Sequence, residues 1–270
     1  LHGSQFIIQT QKQLIKFKGE NMKKNWIKFI TICLLFILTL SVTSCDNSEK
    51  TAKGYGLVHG NYVGIATMTT KRARVRALSF EEVFLPTHWA ELSGDNLDEN
   101  LYISYVNNRN KEVKVAKYIV VGDLHFTGKR TEDGKDVIYS SQNILDIKQY
   151  VIEKEENAKW YAEALLKKDA YVANADFTQI DVDFVGQKGF TKTEANYWPD
   201  TYGGLGWKKN MEALAESFLG TKMNQDTSKF VRNDKDGIWK FDKIQSSATL
   251  VDAMDYYEVA KRAYNHTLHQ

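Results

Sequence analysis

Ser246-Ser247-Ala248-Thr249 places three hydroxyls directly ahead of an apolar stripe at helical spacing, formed by Leu250, Ala253, Met254, Tyr257, Ala260 and Tyr264. Thr249 followed by Asp252 fits a capping box, which predicts a helix over Thr249 to Tyr264. Unpaired N–H groups and the positive end of the helix dipole at such a start could hold an anion such as phosphate. Asp252 competes for the same positive end, and an ordinary N-cap is the plainer reading. A second group is Tyr197-Trp198-Pro199-Asp200-Thr201-Tyr202-Gly203-Gly204-Leu205-Gly206-Trp207, where rings alternate with glycines just before a predicted helix, Trp207 to Leu219. Those rings could stack on a planar ring system, with Lys208 and Lys209 beside them to pair with a phosphate. The alternative is a buried aromatic loop with two solvated lysines.

Other residues carry less. Phe84-Leu85-Pro86-Thr87-His88-Trp89 reads as a structural corner that could edge a pocket. His59, His88 and His125 are scattered and lack metal-ligand spacing. Asp181 and Asp183 alternate on one face of an expected strand, where a solvated face is commoner than a cation site. The chain contains no Gly-x-Ser-x-Gly elbow, phosphate loop or dinucleotide fingerprint.

The elements that must position these groups divide the chain in two. The first half is mainly strand: Tyr62 to Thr70, Arg74 to Phe84, Leu101 to Val106, Val113 to Val121 and Leu124 to Thr127, with turns at Asn107 to Asn110 and at Asp133-Gly134. Ile144 to Lys167 has a helical or helix-turn-helix pattern, followed by short strands at Ala170 to Ala173 and Ile180 to Val185. Gln225 to Lys240 reads as a surface loop or hairpin turning at Asp236-Gly237. The expected class is α+β, an antiparallel sheet with helices packed on one side.

Met22 to Cys45 is an address. Lys23, Lys24 and Lys28, an apolar stretch from Ile30 to Leu40 and small residues before Cys45 read as a secretory signal over residues 22–44, shorter in its apolar core than the ~20 residues of a membrane span. Val42-Thr43-Ser44-Cys45 resembles the bacterial lipobox, which implies lipidation of Cys45 and a tether to the extracytoplasmic face of the cell membrane. Residues 1–21 are expected to be untranslated leader, because Lys18-Gly19-Glu20 can be encoded by a purine run just ahead of Met22. Residues 45–53 read as a polar tether and residues 54–270 as the folded domain.

The whole chain has 36 basic and 34 acidic residues, net +2; without residues 1–44 the counts are 30 and 33, net −3. That balance argues against nucleic acid as a partner. Both cysteines, Cys33 and Cys45, are accounted for by the signal and the lipid, leaving the exported part without a thiol.

Ser246-Ser247-Ala248-Thr249 also resembles the Ser-Gly-Ala-Thr motif of the FMN-binding domains found in the sodium-pumping quinone reductase, the Rnf complex and lipoproteins of extracellular electron transfer. Gly54-Tyr55-Gly56-Leu57-Val58-His59-Gly60 is similar to their opening strand, and Tyr202-Gly203 with Leu205 to Asn210 is similar to segments of FMN-binding-type lipoproteins. The resemblance implies a lipid-anchored electron carrier with FMN near Ser246, Ser247, Ala248, Thr249, Tyr202, Gly203, Trp207 and Lys208, and redox partner proteins. Ser247 stands where the family has glycine, and Lys243 where flavinylation wants aspartate. These departures point to non-covalent FMN rather than a covalent link at Thr249. They also leave open a second reading, a surface binding lipoprotein of the same fold that has lost the cofactor.

Overall fold

Three long strands form the frame: β1 (Glu49–Val58), β2 (Tyr62–Lys71) and β3 (Arg74–Phe84), joined as an antiparallel meander. In this computed structural model the described residues are 47–94, 97–184, 186, 188–200 and 204–270. The expected leader, signal peptide and lipidation site Cys45 lie outside them, as do Tyr202 and Gly203. Ser48–Gln270 is one compact unit.

β1 begins inside the segment expected to be a tether. Glu49 pairs with Lys71, and the Thr51 and Thr69 hydroxyls meet at 2.8 Å. Its first residues alternate between exposed and half-buried, so they carry no apolar period by which a strand would be read. The outer edge of β1 is closed by side chains. Glu155 accepts from Tyr55 N, Arg262 donates to Tyr55 O, His266 meets Lys53 O, and Gln270 donates to Thr51 O. An edge satisfied in this way cannot template further strands.

The hairpin of β4 (Tyr102–Val106) and β5 (Glu112–Ala116) turns at Asn107 to Lys111, and a second sheet runs β8-β7-β6-β9 from β6 (Tyr118–Val121), β7 (Leu124–Arg130), β8 (Val137–Ser140) and β9 (Ala170–Ala173). The single strand expected over Val113 to Val121 is therefore two, in different sheets, because a continuous β-branched run does not encode a change of partner. The strand expected over Ile180 to Val185 is absent among the described residues: the segment makes only isolated bridges, including Leu92 with Phe184, so Asp181 and Asp183 share no strand face. A small sheet, β10 (Phe230–Arg232), β11 (Trp239–Phe241) and β12 (Ile244–Ser246), contains the hairpin that turns at Asp236-Gly237.

The longer helices are α1 (Ile147–Glu153), α2 (Glu155–Leu166), α3 (Gly206–Ser217) and α4 (Ala253–Leu268). The fold class is α+β. Among the described residues the antiparallel strands fall in four sheets, and the meander carries a helix on each face. Tyr55, Val63 and Ile65 join the core of Trp89, Tyr161 and Ala158 of α2, whereas Ala66 and Met68 join the core of Val259, Ala260 and Ala263 of α4. The two-residue period of β2 thus feeds two cores. α4 approaches β1 closely, since a Cβ at Gly54 would lie 2.3 Å from Val259 O and 2.4 Å from Ala263 N.

Candidate functional site

Glu82 lies on β3 between Phe80 and Phe84, an apolar alternation into which a carboxylate has been set. It is fully buried. The segment 190–192 runs along the free edge of β3, where Phe84 N donates to Phe190 O and Lys192 N donates to Glu82 O at 3.0 Å. That backbone pairing delivers Lys192 Nζ to 2.7 Å from Glu82 Oε2, with side-chain exposures of 4% and 0%. Two charges so deep must stay paired, because an isolated buried ion costs several kcal/mol. Glu82 Oε1 accepts from Trp207 Nε1 and Tyr256 Oη. Burial, and then the Glu82 charge, push the Tyr256 phenol far above its usual range.

The chain of contacts continues outward. Tyr256 Oη lies 2.9 Å from His59 Nε2, and His59 Nδ1 meets Asp252 Oδ2. His59 sits in the β1–β2 turn at φ 51, followed by Gly60 at φ 65, and its N–H donates to Asp255 Oδ2 at 3.0 Å. Asp252 is thereby diverted from capping. α4 starts at Ala253 rather than Thr249, with Asp252 at its N-cap and no side-chain cap bond, so the expected capping box is not formed.

Around Lys192 stand rings. Its ammonium is 3.8 Å from the Tyr62 ring centroid and 4.9 Å from that of Tyr197, distances at which a cation is attracted to the ring face. The two phenols are joined, Tyr62 Oη donating to Tyr197 Oη at 3.2 Å. Burial first, and that bond second, raise the Tyr62 pKa well above its ordinary value. His88 stacks on Phe84 at 4.2 Å, and burial, with the Lys192 charge second, lowers its pKa from 6.5 to about 4. His88 is therefore neutral in the fold but takes up a proton on unfolding at mildly acidic pH. Its contribution is fully present above about pH 6.5 and is lost as pH falls toward about 4, up to about 3 kcal/mol. Urea unfolding near pH 5 and near pH 7 should show this loss, and His88→Phe should shrink it.

Tyr256, His59, Asp252, Lys192 and the Tyr62 and Tyr197 rings border an open cavity of about 690 Å³. Tyr62, Tyr197, Trp198 and Trp207 supply rings, Met211 and Leu250 apolar surface, and His59, Asn61, Lys192 and Asp252 polar groups. Arg109, on the β4–β5 hairpin loop, is exposed at this cavity and has no ion pair among the described residues. Trp198 is 40% exposed and holds φ 48. Beside it, Gly206 turns the chain into α3 at φ 62, where a Cβ would fall 2.7 Å from Asp200 N. A smaller cavity of about 280 Å³ shares Tyr197 and Trp198 and adds Lys208 and Lys209, the latter paired with Asp200 at 2.6 Å.

The residues expected to form one site are divided. Trp207 lies at the cavity and spends its N–H on Glu82; Lys208 is exposed at the smaller cavity. Ser246 to Thr249 do not line either cavity, and Ser246, Ala248 and Thr249 have internal partners. Ser246 Oγ donates to Ala213 O and accepts from Ala248 N at 3.1 Å, while Thr249 N donates to Asn210 Oδ1 at 2.7 Å. Ser246 and Ala248 are buried, and exposed Ser247 borders a shallow groove next to Glu216, whose charge disfavours an anion. Within the motif, the Ala248 and Thr249 N–H groups are thus taken by internal partners. Sequence reasoning missed Glu82, Lys192 and Tyr256; the only signal was a carboxylate set between Phe80 and Phe84.

Compared with models of protein families, with curated proteins and with solved structures, the chain matches none. No helix among the described residues is long and apolar enough to cross a membrane.

Proposed function

We propose that this protein is a lipid-anchored, extracytoplasmic binding protein that holds a small ring-bearing acid in the aromatic cavity. The observation that carries the reading is the cavity itself, whose lining combines the aromatic rings with Arg109, an exposed cation with no ion pair among the described residues. Ligand sites commonly combine apolar walls with a few convergent polar groups. Rings of Tyr197 and Trp198 supply stacking area at low entropic cost, and Arg109 can form two parallel hydrogen bonds to a carboxylate or phosphate. A tether through Cys45 would keep such a site at the cell surface.

A second reading keeps FMN, bound non-covalently in this cavity as an electron carrier. The planar rings favour it, whereas the closure of Ser246 to Thr249 does not. A bound flavin would supply the redox chemistry; Tyr197 and Trp198 would position its ring, and Arg109 its phosphate. Thermal unfolding with indole-3-acetate, phenylacetate, glucuronate or FMN separates the two. The first reading expects at least one of the three carboxylates to raise the melting temperature, and Tyr197→Ala to abolish the shift. Stabilisation by FMN alone, with a yellow purified protein, would favour the second.

A further inference from the structure

Beneath the cavity, the contacts outnumber the hydrogens that ordinary protonation supplies. Asp252 Oδ2 meets His59 Nδ1, His59 Nε2 meets Tyr256 Oη, and Tyr256 Oη meets Glu82 Oε1. Trp207 Nε1 can only donate, and it already donates to the same Glu82 oxygen. Three contacts in line need three hydrogens. The phenol and a neutral imidazole bring one each, and ionised carboxylates bring none. The third must be an additional proton.

The line is satisfied with that proton at its outer end. On Asp252 or His59, the imidazole donates from Nε2 to Tyr256, which donates to Glu82. Glu82, paired with the buried Lys192 ammonium, only accepts, at the inner end of the line. Passing between these states moves hydrogens along existing contacts and shifts no heavy atom. Asp252, with 41% side-chain exposure, is the entry from solvent; Glu82 is the closed end.

We infer that one proton shared between Asp252 and His59, at the head of the line that runs through Tyr256 to Glu82, latches the β1–β2 turn at the edge of the cavity, and that its loss releases His59 and loosens that edge. Without it, one contact sets two acceptors face to face and must open. His59 is the member held by a turn rather than by a helix or sheet interior, so the break falls there. The groups around it act in both directions. From α4, Asp252 and Asp255 favour a charged imidazole and Tyr256 accepts from it; from β2, Tyr62 presents its ring edge-on at 6.2 Å. Lys192 and Arg109, at the same cavity, oppose the added charge, and Lys192 favours ionised Glu82. The latch is closed with the proton bound and opens as pH rises.

The inference rests on the ligand reading only for what the latch controls, and its test needs no ligand, so the two can fail separately. In the full chain, with isotope-labelled tryptophan, the Trp207 indole N–H resonance is followed from about pH 5 to about pH 8, the range in which histidine charge ordinarily changes. The expected result is a titration step at Trp207 in the wild type that is lost in Tyr256→Phe and in His59→Gln. Amide protection at His59 to Asn61, measured relative to β2, should fall above the same step. No step in the wild type, an unchanged step in either folded variant, or protection that does not follow the step would overturn it. If neither variant folds, the wild-type step and its link to protection decide.

Discussion

Replacing Lys192 by methionine is expected to destabilise the fold by about 3–5 kcal/mol, the cost of leaving one member of a buried ion pair uncompensated. Glu82 has no access to water, and Lys192 Nζ is the only cation placed on its Oε2 among the described residues. Its other oxygen keeps the Trp207 and Tyr256 donors, which are neutral and do not replace the ammonium. The methionine stem can still lie on the Tyr62 ring, so the loss reports charge rather than volume. Adding Glu82→Gln should restore much of it, since replacing both partners of a buried pair is often close to neutral. Urea unfolding of the wild type, the single variant and the double variant measures this directly. A single-variant loss below about 1 kcal/mol would place the pair in the class of solvated surface pairs.

Gly54→Ala is the second large effect, expected to cost about 3 kcal/mol or more, the upper range for forcing atoms into a packed core. The added methyl would meet backbone atoms of α4 rather than flexible side-chain ends, so relief requires the helix to move. Such movement would disturb the Arg262 and His266 contacts that close the β1 edge. Gly60→Ala is the control: nothing lies within 4 Å of its Cβ, and only the φ of 65 opposes it, at about 1 kcal/mol. Equal unfolding midpoints for the two variants would contradict the close helix–strand approach.

Much of the meander was legible because β2 and β3 are long and alternate, whereas the α1–α2 break, at extended Lys154, was left open between one helix and two. The start of β1 was not, since its stability comes from an edge sealed by residues about 200 positions away, among them Arg262 and Gln270. The site was legible only in its rings. Trp207 and the Tyr197 loop could be picked out by composition, but Lys192 becomes part of the site through one backbone pairing with β3, which no local spacing encodes. The surroundings of Ser246 to Thr249 are set from a distance in the same way. Asn210, on helix α3, takes the Thr249 N–H that the motif alone leaves free.

The central claim is that ligand is held in the aromatic cavity and not at Ser246 to Thr249. Calorimetric titration of wild-type, Tyr197→Ala and Ser247→Gly proteins, with FMN and with the three ring-bearing acids, tests it most directly. The account predicts saturable binding of at least one acid, lost in Tyr197→Ala and unchanged in Ser247→Gly, with no FMN binding gained by the glycine. FMN binding created or strengthened by Ser247→Gly, with Tyr197→Ala without effect, would contradict it.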